Sequence, residues 1–145
     1  MNASMEFSYK LLQAYGMCCK PLCQEIRMPQ TAFDILLFLA NNPEFQTARD
    51  IVEVRRIKAN LVSVNVDKLV REGYLERRES PGDRRKTLLV CTDKAGTVIE
   101  KGRRMQEAFW RELFKNIDKE SMEVFFHTMK MIGINLDRMM KGQEN

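Results

Sequence analysis

The sequence predicts a mainly α-helical fold carrying one small β-hairpin. Two observations lead there. Apolar residues recur at helical spacing through most of the chain, and a turn-rich tetrapeptide separates two short strand-like runs. The centre is the stretch from Thr47 to Thr92, TARDIVEVRRIKANLVSVNVDKLVREGYLERRESPGDRRKTLLVCT. It reads as short helix, tight turn, second helix, strand, basic loop, strand.

The elements follow in order. Phe7 to Arg27 is helix-like, with Phe7, Leu11, Leu12, Tyr15, Cys18, Cys19, Leu22 and Ile26 at helical spacing. Gly16 and Pro21 weaken it, and Pro21 is expected to kink or split it. Pro29 suits a first helical position. It opens a second helix bearing Phe33, Leu36, Leu37, Phe38 and Leu39, which Asn41, Asn42 and Pro43 end.

Thr47 with Asp50 forms a capping-box pattern for a short helix through Ile51 and Val54. Arg55 to Lys58 is the turn. Asn60 to Arg71 is the next helix, with Val62, Val66, Leu69 and Val70 inward and Gly73 as its left-handed terminator. Tyr74 to Arg78 and Thr87 to Thr92 are the strands, joined through Ser80, Pro81, Gly82 and Asp83. Thr92 can cap a long helix through Val98, Ile99, Met105, Phe109, Leu113 and Phe114. Asp118 starts a last helix whose stripe is Met122, Phe125, Phe126, Met129, Ile132, Leu136, Met139 and Met140.

Composition narrows the function. At 145 residues, 44% apolar and 30% charged, the chain suits one folded domain, 1–145. No apolar run approaches the roughly 20 residues that span a bilayer. No signal pattern opens the chain, so a cytoplasmic location with reduced thiols is expected. Net charge is +4, but Arg55 to Lys86 alone holds ten basic and five acidic residues. That concentrates the positive charge in one segment, as a polyanion binder requires.

A helix pair of this kind sets its second helix in the major groove of DNA. The outward residues of that helix are then Asn60, Leu61, Ser63, Val64, Asn65 and Lys68, with Lys58 at the entrance. Asn pairs with adenine, Lys approaches guanine or phosphate, and Val or Leu touches a thymine methyl. At the hairpin tip Arg84, Arg85 and Lys86 would follow the phosphates, or dip into the minor groove. Asp83 would cap the turn or hold one arginine by a charged hydrogen bond.

The string GYLERRESPGDRRKTLLVCTDKAG resembles the wing of the MarR family of winged-helix regulators. The matching residues are Gly73, Asp83 with Arg85, Thr92 and Gly96, with Cys91 at a position usually held by Leu. LVSVNVDKLVREGYLER resembles the family's recognition helix. The entrance Arg55, Arg56, Ile57, Lys58 departs from the usual hydroxyl cap. The resemblance implies a winged helix-turn-helix module over 28–92, with dimerisation helices over 1–27 and 93–145. It implies a homodimer on a pseudo-palindromic double-stranded DNA operator, a repressor released by a small-molecule inducer, a metal or an oxidant. A thiol-based enzyme or a protein-binding winged-helix adaptor is the alternative.

Cys18, Cys19 and Cys23 are the redox candidates, with helical spacing placing Cys19 and Cys23 on one face. A thiolate metal site would need a fourth ligand such as Cys91 or His127. Packing as small core residues is the third reading. His127 is read as a surface or interface residue. No catalytic residue, metal ligand or cofactor is expected.

Overall fold

A helix with an unbroken apolar run must have that run enclosed, and Gln30–Asn41, with Ile35 to Leu39, is that helix. The computed structural model describes residues 2–143. The helices are α1 (Ala3–Ile26), α2 (Gln30–Asn41), α3 (Ala48–Asp50), α4 (Ala59–Arg71), α5 (Gly96–Leu113) and α6 (Lys119–Lys141). The strands β1 (Leu75–Ser80) and β2 (Asp83–Cys91) pair antiparallel. On α2, Ala32, Phe33 and every residue from Ile35 to Leu39 are buried. α1, α4, β2 and the turn after α3 pack around it. Cys19, Cys23, Ile51, Val62, Val66, Leu69, Leu75, Leu89, Val98 and Ile99 complete the core. This is the expected mainly α fold with its hairpin.

Several expectations need adjustment. α1 is one continuous helix across Pro21, so the proline does not split it. Pro29 caps α2 from outside rather than occupying its first turn. After α3 the chain widens into a π-helical turn, Ile51–Arg55, and Arg56 takes a left-handed φ of 65°. Arg55 thus belongs to the helical turn and not to the loop. The strands reach the hairpin tip because Pro81 and Gly82 alone make the turn, with Gly82 at φ 86°. Arg84, Arg85 and Lys86 therefore lie in β2 rather than in a loop. Thr92 does not cap a helix with its side chain. Its hydroxyl donates to the Gly73 carbonyl at 2.6 Å, and a 3₁₀ turn, Asp93–Ala95, leads into α5.

Other expectations hold. Thr47 and Asp50 form the capping box, at 3.0 and 3.1 Å. Gly73 (φ 83°) ends α4 in a Schellman arrangement: its N–H reaches the Val70 carbonyl and that of Tyr74 the Leu69 carbonyl. Asp118 caps α6 through the Ser121 N–H at 2.9 Å.

The chain divides into two compact units, one through Phe109 and one from Trp110. The boundary falls inside α5, where no change of composition marks it. In the second unit Phe114, Phe125 and Phe126 form a ring cluster with centroids 5.3 to 6.0 Å apart. No residue of α6 is buried. Met1, Glu144 and Asn145, at the outer ends of the expected dimerisation segments, lie outside the described residues.

Gly102 of α5 supplies a test of the packing around α2. A Cβ there would meet both Leu37 methyls and a Phe33 ring carbon at 2.9 Å, and both residues are fully enclosed. Gly102→Ala is expected to cost about 1–3 kcal/mol despite its better helix propensity, read as a lower urea midpoint.

Candidate nucleic-acid interface

The interface rests on how α4 is built. Its inward side chains are Val62, Val66 and Leu69, with Val70 half-buried against the core. Lys58, Asn60, Leu61, Ser63 and Val64 are exposed, and Lys68 is half-exposed. Leu61 and Val64 are apolar yet 43% and 66% exposed, so the outer face offers greasy patches beside polar ones. Asn65 departs from expectation. It is only 9% exposed, and its amide donates to the Leu61 carbonyl at 2.8 Å. Helical geometry brings an asparagine back onto the carbonyl four residues earlier, and that bond turns Asn65 inward. It is not on the outer face.

The hairpin is bound to the rest of the fold at its middle and at its base. Near its middle, the Leu89 N–H donates to the Gln46 carbonyl at 2.7 Å while the Leu89 side chain enters the core. Gln46 is itself fixed, because its N–H donates to Asp50 Oδ2 at 3.1 Å. At the base, the Thr92 N–H reaches the Tyr74 carbonyl at 3.1 Å. Lys94 Nζ donates to the Glu72 carbonyl at 2.6 Å and lies 4.6 Å from the Tyr74 ring centre. An Arg77–Asp67 ion pair joins β1 to the exposed side of α4. The amino-acid order gives neither residue a distinguishing mark, because a charged pair ten residues apart across a helix end has no characteristic spacing.

Ion pairing sorts the cations. Arg49 pairs with Glu53 at 2.7 Å, Arg55 with Asp34 at 3.4 Å, and Arg78 with Glu76 at 2.9 Å. Among the described residues, no ion pair engages Lys58, Lys68, Arg84, Arg85 or Lys86. Arg56, exposed at the left-handed step before α4, is a further cation outside those pairs. The tip is shaped for display. Ser80 pairs with Asp83 and Glu79 with Thr87, so Arg84, Arg85 and Lys86 fall where the register shifts. Extra residues on one strand bend it and re-aim its side chains. Asp83 takes the first of its two expected roles: Oδ1 accepts the Arg85 N–H at 3.0 Å. No arginine side chain pairs with it among the described residues.

The cysteines divide. Cys19 and Cys23 share the buried face of α1, as their spacing indicated, and Cys18 is exposed. Burial pushes the Cys19 thiol up to about 11, only partly opposed by a hydrogen bond with Tyr15. Burial also raises Cys23. Burial pushes the Tyr15 phenol to about 12, against a 3.0 Å bond from Gln106. An activated thiol needs the opposite shift.

A helix pair with a bound hairpin, outward apolar and polar residues, and unpaired cations at the tip defines a winged helix-turn-helix. Known proteins agree with that class. The MarR family pattern matches residues 28–86, the segment that holds the helix pair and most of the hairpin. An uncharacterized HTH-type transcriptional regulator of Bacillus subtilis strain 168, YdgJ, is 24% identical over 108 residues. That match covers 74% of this chain and 65% of the relative's length. A MarR family transcriptional regulator from Listeria monocytogenes, solved with 26mer DNA, superposes with a TM-score of 0.81 at 13% identity. It covers 94% of this chain and 89% of that one. A MarR protein from Peptoclostridium difficile DA00132 gives 0.81 at 18% identity over 94% and 89%. These structures show the shared fold.

The thiol environments give a direct test. A shift from 9 to about 11 leaves Cys19 with about a hundredfold less thiolate at neutral pH. Iodoacetamide at pH 8 is therefore expected to label Cys18 well before Cys19 and Cys23, as read by peptide mass mapping. Preferential labelling of Cys19 in the folded chain would contradict this packing.

Proposed function

We propose that this protein is a sequence-specific double-stranded DNA-binding transcriptional regulator that works as a homodimer. Residues 28–92 serve as the DNA-binding module, and 1–27 and 93–145 serve dimerisation. The observation that carries the reading is the single locked surface on which α4 presents Asn60, Leu61, Ser63 and Val64 beside the unpaired cations. Lys58, Lys68, Arg84, Arg85 and Lys86 are assigned to phosphates and base edges. Asp83 is assigned to the shape of the tip. Asn65, turned inward, is assigned no base.

The regulatory relatives and the Listeria protein's 26mer DNA support the reading. Pairing is supported by exposed apolar side chains on two helices. α1 exposes Met5, Phe7, Leu12 and Met17. α6 exposes Phe125, Phe126, Met129, Ile132, Leu136 and Met139. Apolar stripes of this extent call for a partner, and a second copy is the simplest. Two copies would place two α4 helices in successive major grooves of a pseudo-palindromic operator.

We further propose that the protein is a repressor released by a small-molecule inducer, which must favour the form that does not bind DNA. The raised thiols of Cys19 and Cys23 weigh against an oxidant acting there and leave Cys18 as the accessible thiol.

The test is salt-dependent binding to a duplex selected from genomic DNA on the purified protein. Wild-type log affinity should fall steeply and linearly with log salt. In Arg84→Ala/Arg85→Ala the slope should flatten by about 0.9 for each phosphate no longer neutralised, with the dimer intact by light scattering. Binding that is flat in salt, or unchanged in the double variant, would count against this function.

A further inference from the structure

A costly carboxylate lies beneath the DNA-facing surface. Asp34 of α2 has a side chain only 12% exposed. Its Oδ2 is 3.4 Å from the Arg55 guanidinium and 3.5 Å from the Gln30 amide, which donates to it. Its Oδ1 is buried with no hydrogen-bond partner. From α1, Tyr15, Cys19 and Cys23 all feel its charge. From α4, Lys68 lines the same groove as Gln30. On β2 the cations lie at the exposed tip. Burial raises the Asp34 carboxyl above the ordinary range, with Arg55 and then Gln30 acting against that shift.

A half-satisfied buried carboxylate destabilises a fold, and a neutral side chain of the same shape does so less. Its location says what it does instead. Arg55 is the last residue of the π-helical turn, and Arg56 then makes the left-handed step into α4. The pair thus ties α2, the most enclosed helix, to the point where the chain reverses before α4. π-helical turns are rare and cluster at functional sites. We propose that Asp34 is a positioning residue for the DNA-binding surface, acting through Arg55 to fix the turn and so aim α4. This rests on the DNA-binding reading above.

Such a residue separates stability from binding. Asp34→Asn removes a buried charge, so the urea midpoint at neutral pH should hold or rise, while affinity for the selected duplex falls about tenfold. Arg55→Gln should weaken binding by a similar amount, and the double variant no more than the worse single variant. The pH dependence follows from the raised carboxyl. The Asp34–Arg55 attraction is lost as pH falls through the folded-state value, which burial sets above the ordinary aspartate range. Wild-type affinity should therefore show an acid-side loss that Asp34→Asn lacks.

The experiment measures anisotropy of the full chain on the selected duplex and on a random-sequence duplex of equal length. It runs from pH 5 to 8 at fixed salt, for wild type, both single variants and the double variant. Wild-type affinity in a folded Asp34→Asn, or additive losses in the double variant, would each overturn the proposal. Should Asp34→Asn fail to fold, Arg55→Gln decides, because its side chain is 39% exposed; wild-type binding there overturns the proposal. Wild type binding neither duplex would remove the DNA reading itself. Specific wild-type binding with unaffected variants would remove only the role of Asp34.

Discussion

The enclosure of α2 is the constraint from which the rest follows. From Ile35 to Leu39 each successive side chain is buried, so this stretch of the helix has no face to leave in water. An amphipathic helix needs cover on one side; this stretch needs it all round. α1, α4, β2 and the turn after α3 provide that cover, and each does so with its own apolar stripe. The positions of the helix pair and the hairpin are thereby set by the burial of a helix that lies beneath the proposed DNA-facing surface.

Rigidity of the functional surface comes from a few backbone ties rather than from the exposed salt bridges. An exposed ion pair contributes about 0–1 kcal/mol. Leu89 does more: its side chain is part of the core while its N–H completes Gln46, whose own N–H is held by the capping carboxylate of Asp50. One residue thus joins β2, the loop before α3 and the start of the helix pair. The cations are left to the periphery, where the hairpin register shifts and the side chains stand in solvent. Charge is presented on a frame that does not need it for stability.

The polar groups beneath that frame have a different character. Tyr15, Cys19, Cys23 and Asp34 all titrate above their usual ranges, and burial is the first cause in each case. The shifts favour the neutral forms, so the thiols pack as small apolar residues. Asp34 alone has a cationic partner there, which sets it apart from the three groups around it.

Much of this was legible in the chain. Thr47 with Asp50, Gly73, the Pro81–Gly82 turn, Asp118 and the stripes of α2 and α4 are local signals. Each reflects hydrogen bonds or dihedral angles decided within a few residues, which the amino-acid order carries by itself. The concentration of basic residues between Arg55 and Lys86, and the greasy outer positions Leu61 and Val64, were readable in the same way. Tertiary structure decided what depends on distant partners. It turned Asn65 inward, gave the Thr92 hydroxyl to Gly73, kept α1 continuous through Pro21, carried the basic triplet into β2, and set Arg55 against Asp34. Burial and pairing are properties of the assembled core, and local sequence cannot specify which neighbour arrives.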